Sequence, residues 1–288
     1  HLLPPEEVEA ARSRGIALGQ GSEHLWFGQV KFFADGSLGS GTALLHEPYT
    51  DDPSHGGIAC LSPEELRERV ELAYRYGGDV GVHAIGDLAV THVLNAIAAA
   101  RDRFPGPRRD RIEHVQLFHP DDLPRFRELG VVASVQPVHL LTDRPVAEKR
   151  WGLTRCRYAY AWRSLLRSGI RLQFGSDAPV EPINPLLGFH AALTRQDLSG
   201  EPSEGWFPDE RLDLEEIVHA FTWVPAWVSR RENDLGRLGP GRKADLVVFA
   251  EDLFRKPPGQ VFSVPVEMAM VDGEVLFDAR KGLCVSRE

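Results

Sequence analysis

Short apolar runs that break into turn or polar residues recur along the chain, with stretches of helical periodicity between them. The runs predict strands over residues 26–34, 80–83, 111–115, 131–138 and 172–174. The first is expected to be buried, with Lys31 as its single charged residue. Helical spacing covers residues 5–15, 88–104, 119–130 and 158–168. A further helix is signalled by Ser62 as cap, Pro63 in the first turn and Glu65 as capping-box partner, running to Tyr76 before Gly77 and Gly78 stop it. Residues 185–196 and 213–221 follow the fifth strand, the latter with Asp213 as cap and Glu216 three positions on. Residues 139–155 show no clear period and read as a long irregular segment, of the kind that is functional or mobile in a compact domain. Strand and helix alternating with short connections predicts a parallel sheet with helices outside it.

The pattern changes after Gly239, Pro240 and Gly241. ADLVVFA, PVEMAMV and EVLFD alternate as antiparallel strands, and Asp272-Gly273 is the signal for a two-residue hairpin. A small β unit is therefore expected from about residue 235 onward.

Composition narrows the functional classes. The 288 residues are 42% hydrophobic and 26% charged, as in an ordinary globular protein. The net charge is −9 and no basic cluster is dense enough to follow a phosphate backbone, which argues against nucleic acid. No apolar run approaches the ~18 residues of a membrane span, so no membrane partner is expected. Cys60, Cys156 and Cys284 lie far apart in no paired motif, pointing to a reducing, cytoplasmic setting in which thiols pack as small apolar side chains.

Three strand exits carry metal-type chemistry. The second strand ends on His83, the third on His114, and the fifth breaks at Gly175 into a turn bearing Asp177. Strands of one parallel sheet point their C-terminal ends the same way, so two imidazoles and a carboxylate can converge there as ligands of a divalent ion. Taken singly, each histidine also fits an inert, hydrogen-bonded strand end, and Asp177 fits a loop cap ahead of Pro179. Lys31 in an apolar strand must be paired, drawn out to the strand end, or converted by carbon dioxide to a carbamate. Of the remaining histidines, read as surface, helix-face or loop residues, His139 is the candidate substrate contact. The glycine-rich loop at 35–41 lacks a G-K-[ST] ending, and Trp223 and Trp227 read as core packing on one helix face.

V-K-F-F-A-D-G-S-L-G-S, V-H-A-I-G-D, R-I-E-H-V-Q, F-G-S-D-A-P and D-L-G-R-L-G-P-G-R-K-A-D-L-V-V-F, with the V-D-G-E-V hairpin, together resemble the metal-dependent amidohydrolase superfamily, and within it the N-substituted formamide deformylase branch. The resemblance implies an α/β fold: a TIM-type (β/α)8 barrel, here only its C-terminal strands over residues 1–234, plus part of a small antiparallel β domain over 235–288. It implies one or two divalent ions, zinc by expectation, held by His83, His114, a carboxylated bridging Lys31 and Asp177. By the same reading Asp177 would also be the catalytic general base and acid, and His139, Asp35 and Ser37 would contact a small-molecule amide. The implied reaction is hydrolysis of a non-peptide C–N bond, and a homo-oligomer is allowed. Two departures stand out. The sequence has no H-x-H pair, which the family carries on its first strand, and Gly41 stands where this branch leads one to expect arginine. The chain is accordingly expected to be the C-terminal portion of a longer family member. The rival expectations are a catalytically silent binding or assembly module, and a sugar or phosphate enzyme with an anion near residues 35–39.

Overall fold

The computed structural model describes residues 2–17 and 19–284. They form two compact units, His1–Val135 with Thr142–Gln173, and Gln136–Leu141 with Phe174–Glu288.

In the first unit a short helix α1 (Val8–Ser13) leads to strand β1 (Val30–Phe33). Helix α2 (Pro63–Arg75), β2 (Val80–Ala84), α3 (Asp87–Arg103), β3 (Arg111–His114), α4 (Asp122–Leu129) and β4 (Val132–Val135) follow in strict alternation. Helices α5 (Leu140–Cys156) and α6 (Trp162–Arg167) then precede β5 (Leu172–Phe174). The five strands lie in sequence order in one sheet, β1 parallel to β2, β2 to β3 and β3 to β4. Val30, Phe32, Val80, Val82, Ile112, Ala133 and Val135 are all buried. The alternate positions fall into two register rows, Lys31, Gly81, Arg111, Val132 and then Phe33, His83, Glu113, Ser134. The first strand is therefore shorter than residues 26–34 and only half of it is core: Phe33 is 54% exposed. Side chains two apart share a face, so an apolar run of this length does not by itself mean burial on both sides.

Capping works as the sequence predicts at α2, where Ser62 Oγ accepts from Glu65 N and the Glu65 carboxylate accepts from Ser62 N. Beneath that helix lies Asp110, fully buried, which accepts from Tyr74 Oη and Arg101 Nη2 at 2.6 Å and from Val80 N at 3.0 Å. This carboxylate ties α2, α3 and the start of β2 together.

Residues 139–155 correct the expectation of an irregular segment. His139 closes a short 3-10 turn, Pro137–His139, and α5 follows at once. Pro145 lies inside that helix and Gly152 breaks its dihedrals (φ 75°), so the sequence loses the signature of a helix while the chain keeps the shape of one.

The second unit holds α7 (Pro185–Thr194), α8 (Leu214–Phe221) and α9 (Trp223–Val228). Asp213 and Glu216 form the predicted capping box of α8. Phe221 packs on Phe174 and Phe189, with ring centroids 5.4 and 5.1 Å away. Trp223 and Trp227 are only half-buried, and the core side of α9 is Val224, Ala226 and Val228, which corrects the reading of both tryptophans as core. Strands β6 (Leu246–Phe249), β7 (Val266–Val271), β8 (Glu274–Asp278) and β9 (Leu283–Cys284) make an antiparallel sheet. Its hairpin turns at Asp272 (φ 54°) and Gly273 (φ 83°), both left-handed as a type I′ turn requires.

The fold is thus a parallel α/β sheet with a small antiparallel sheet. Five parallel strands are too few to close the eight-stranded barrel that the resemblance implies. Cys156 is buried, but Cys60 is exposed, against the expectation that the thiols pack inside; the side chain of Cys284 lies outside the described residues. Among the described residues no helix is long and apolar enough to cross a membrane.

Candidate functional site

In the first unit the ends of β1, β2 and β3 meet the glycine-rich loop. His83 Nε2 lies 2.8 Å from the Gly36 carbonyl, which can only accept, so Nε2 carries the proton. Behind it is Asp35, whose Oδ1 is 3.5 Å from the same nitrogen. This is how a metal-binding histidine is commonly held: one ring N–H is given to a carbonyl or carboxylate, leaving the other nitrogen basic. In His83 that basic atom is Nδ1.

His114 comes to His83 through a bend in the backbone. It takes the left-handed conformation (φ 77°), as does Val115 (φ 44°), and its ring meets that of His83 edge-on with centroids 4.5 Å apart. The Phe33 ring lies 5.1 Å from His83 on the other side, with Lys31 Nζ 4.8 Å above Phe33. His83 and His114 thus meet directly, while Lys31, one register row earlier on β1, reaches the Phe33 ring that flanks His83.

Asp35 and Ser37, expected as substrate contacts, sit differently from each other. Asp35 is 2% exposed, and its carboxylate accepts from Ile85 N at 3.0 Å, Gly86 N at 2.8 Å and Leu44 N at 2.9 Å. Burial pushes its pKa up to about 6 against the pull of those three donors. It anchors the loop from below and presents no free oxygen. Ser37 is half-buried, with Oγ 2.8 Å from Ser40 Oγ on the exposed rim. At Gly41 (φ 69°), a Cβ would fall 2.6 Å from Arg150 Nη1, and Arg150 Nη2 donates to the Gly39 carbonyl at 3.0 Å. A guanidinium therefore lies against the position where the resemblance led one to expect an arginine, but it comes from α5.

The second unit brings His139 and Asp177 together. His139 is buried, while Asp177 stands in a left-handed turn (φ 58°) with its side chain 37% exposed. His139 Nε2 is 3.5 Å from Asp177 Oδ2, and His139 Nδ1 is 3.6 Å from Glu181 Oε1. An imidazole between two carboxylates is suited to handling protons. Glu181 was not singled out from the sequence, since its only signal was a position four residues past Asp177 in a proline-stiffened turn.

The sequence-predicted residues therefore fall into two sets. Lys31, Asp35, Ser37, His83 and His114 belong to the first unit, His139 and Asp177 to the second. Imidazoles suit zinc and similar divalent ions, and the second-sphere hold on His83 fits such an ion.

A family model described as "Amidohydrolase family" matches residues 2–277. The chain is 40% identical over 234 residues to Protein LONG AFTER FAR-RED 3 of Arabidopsis thaliana, covering 80% of this chain and 39% of that protein. It is 25% identical over 252 residues to an N-substituted formamide deformylase of Arthrobacter pascens, covering 87% of this chain and 46% of that one. Among solved structures, an uncharacterized metal-dependent hydrolase from Pyrococcus horikoshii OT3 superposes with a TM-score of 0.77 at 34% identity, covering 89% of this chain and 51% of that one. The chain spans about half the length of the proteins it matches.

Proposed function

This chain belongs to the amidohydrolase family, and on that premise we propose that it forms part of a metal-dependent hydrolase cleaving a non-peptide C–N bond in a small amide. The observation that supports the reading is His83, whose Nε2–H is given to the Gly36 carbonyl with the Asp35 carboxylate behind it, the tautomer in which Nδ1 carries the lone pair that a metal needs. His83 and His114 would hold the ion, with zinc the first candidate, and carboxylated Lys31 would supply an anionic oxygen where two ions bind. When bound, such an ion would bring the pKa of water to about 7 and polarise the amide carbonyl. Asp177 takes the proton of the attacking water and returns it to the leaving nitrogen. His139, buried between Asp177 and Glu181, fixes the direction of that carboxylate. The proposed setting is cytoplasmic, with neither nucleic acid nor membrane as partner.

The test separates metal from turnover. In the longer enzyme, Asp177→Asn should keep its metal content by elemental analysis and lose amide hydrolysis by 10³-fold or more, on the order expected for loss of a general base; retained turnover would refute the role.

A further inference from the structure

The loop that holds His83 at one end touches an arginine at the other. Gly36 accepts from His83, and Gly39, three residues on, accepts from Arg150. Three residues of chain span at most about 11 Å. The loop is folded more tightly than that, closed by Gly36 N to Thr42 O, Thr42 N to Ser37 O and Gly41 N to Leu38 O. The guanidinium is therefore tied to the same short loop that accepts from His83.

Arg150 is held in place but not used up. Its aliphatic stem comes from α5, and its guanidinium stands 5.9 Å above the buried Tyr49 ring. Tyr49 is fixed in turn by Oη donating to Ala43 O and by stacking on His55, whose Nε2 lies 2.9 Å from Gly41 O. Gly41 leaves the space that a side chain would fill. Of five N–H groups on a guanidinium, one donates to Gly39, and the nearest carboxylate, Asp51, is 3.9 Å away. Lys149 approaches the same Asp51 at 3.9 Å, so Arg150 does not hold that carboxylate alone. The side chain is 27% exposed, and the Ser37 and Ser40 hydroxyls on the same loop bond each other at 2.8 Å, with Ser40 Oγ 2.6 Å from Thr42 Oγ1, so a ligand would exchange for those contacts.

We propose that Arg150, with the Ser37 and Ser40 hydroxyls, forms a carboxylate-binding subsite on the loop 36–41, so that the amides accepted here carry an acidic group. This rests on the hydrolase reading for its reaction, but the subsite itself is a binding claim. Arginine meets a carboxylate with two parallel N–H donors, which lysine cannot reproduce.

The test is equilibrium binding to the 288-residue chain, by calorimetry, of N-acetylglycine and its neutral analogue N-acetylglycinamide. The unsubstituted protein should bind the acid at least tenfold more tightly. Arg150→Ala should level the two. Arg150→Gln, which keeps a donor for the Gly39 carbonyl and so protects the fold, should level them as well, and Arg150→Lys should keep only part of the preference. Equal binding in the unsubstituted protein, no binding of either probe, or a preference that survives in both the Ala and Gln variants overturns the proposal. A preference that follows Arg150 in a chain that hydrolyses neither probe with zinc present keeps the subsite and removes the hydrolase reading. Turnover of both probes without preference does the reverse.

Discussion

Two loops leave strand ends carrying the candidate chemistry, and they are built in opposite ways. The loop after β1 is wired from beneath: the buried Asp35 carboxylate takes three backbone N–H groups, and the loop closes on itself through Thr42. The loop after β5 is open, with Asp177 in a turn closed by Val180 N to Asp177 O, and with Val180 and Ile183 72% and 80% exposed. An aspartate opens both loops, yet one spends its charge on architecture and the other keeps it for solvent or substrate. Residue type at a strand exit therefore does not separate scaffold from chemistry; the number of backbone donors that reach the carboxylate does.

That contrast can be broken by making the same change in both places. Asp35→Ala strands three buried N–H groups, each worth about 1–3 kcal/mol when left unmade, so denaturant unfolding should show a loss of about 3 kcal/mol or more. Asp177→Ala should cost no more than ~0.5 kcal/mol, as for an exposed position; similar losses at both sites would end the distinction. The neighbouring glycines sharpen it. A Cβ at Gly86 would lie 2.1 Å from Leu44 O, so Gly86→Ala must move backbone and should lower stability by about 2 kcal/mol. Gly175 has nothing within 4 Å of that position, and Gly175→Ala should leave the melting temperature nearly unchanged. The smallest effect concerns thiols in a Cys284→Ser background. Exposed Cys60 should be alkylated at pH 8, as seen by mass spectrometry, while Cys156, whose thiol burial pushes up to about 12, should react only after unfolding. Prompt labelling of Cys156 would show that the first unit opens more readily than its packing indicates.

Much of the parallel sheet was legible because each strand is a short apolar run closed by glycine or a polar residue, and because the caps of α2 and α8 follow a local rule. Helix α5 was not, since Pro145 and Gly152 erase a periodicity that its surroundings restore. Of the proposed site residues, His83 and His114 stand at the strand ends where the sequence put them. The contacts of Arg150 and Glu181 were not legible, because each joins separate elements and no spacing along the chain announces it. The surroundings of Asp35 were hidden for a related reason: sequence shows an acid in a glycine loop, and only the fold shows three amides aimed at it.

His114 and Asp177 both hold left-handed dihedrals, φ 77° and 58°, which side-chain-bearing residues adopt at a cost of roughly 1 kcal/mol or more. Glycine would relieve that cost at either position. Directed evolution of this protein for heat tolerance alone should therefore drift toward glycine at the very places where an imidazole and a carboxylate are displayed, trading chemistry for durability unless the screen also scores metal uptake.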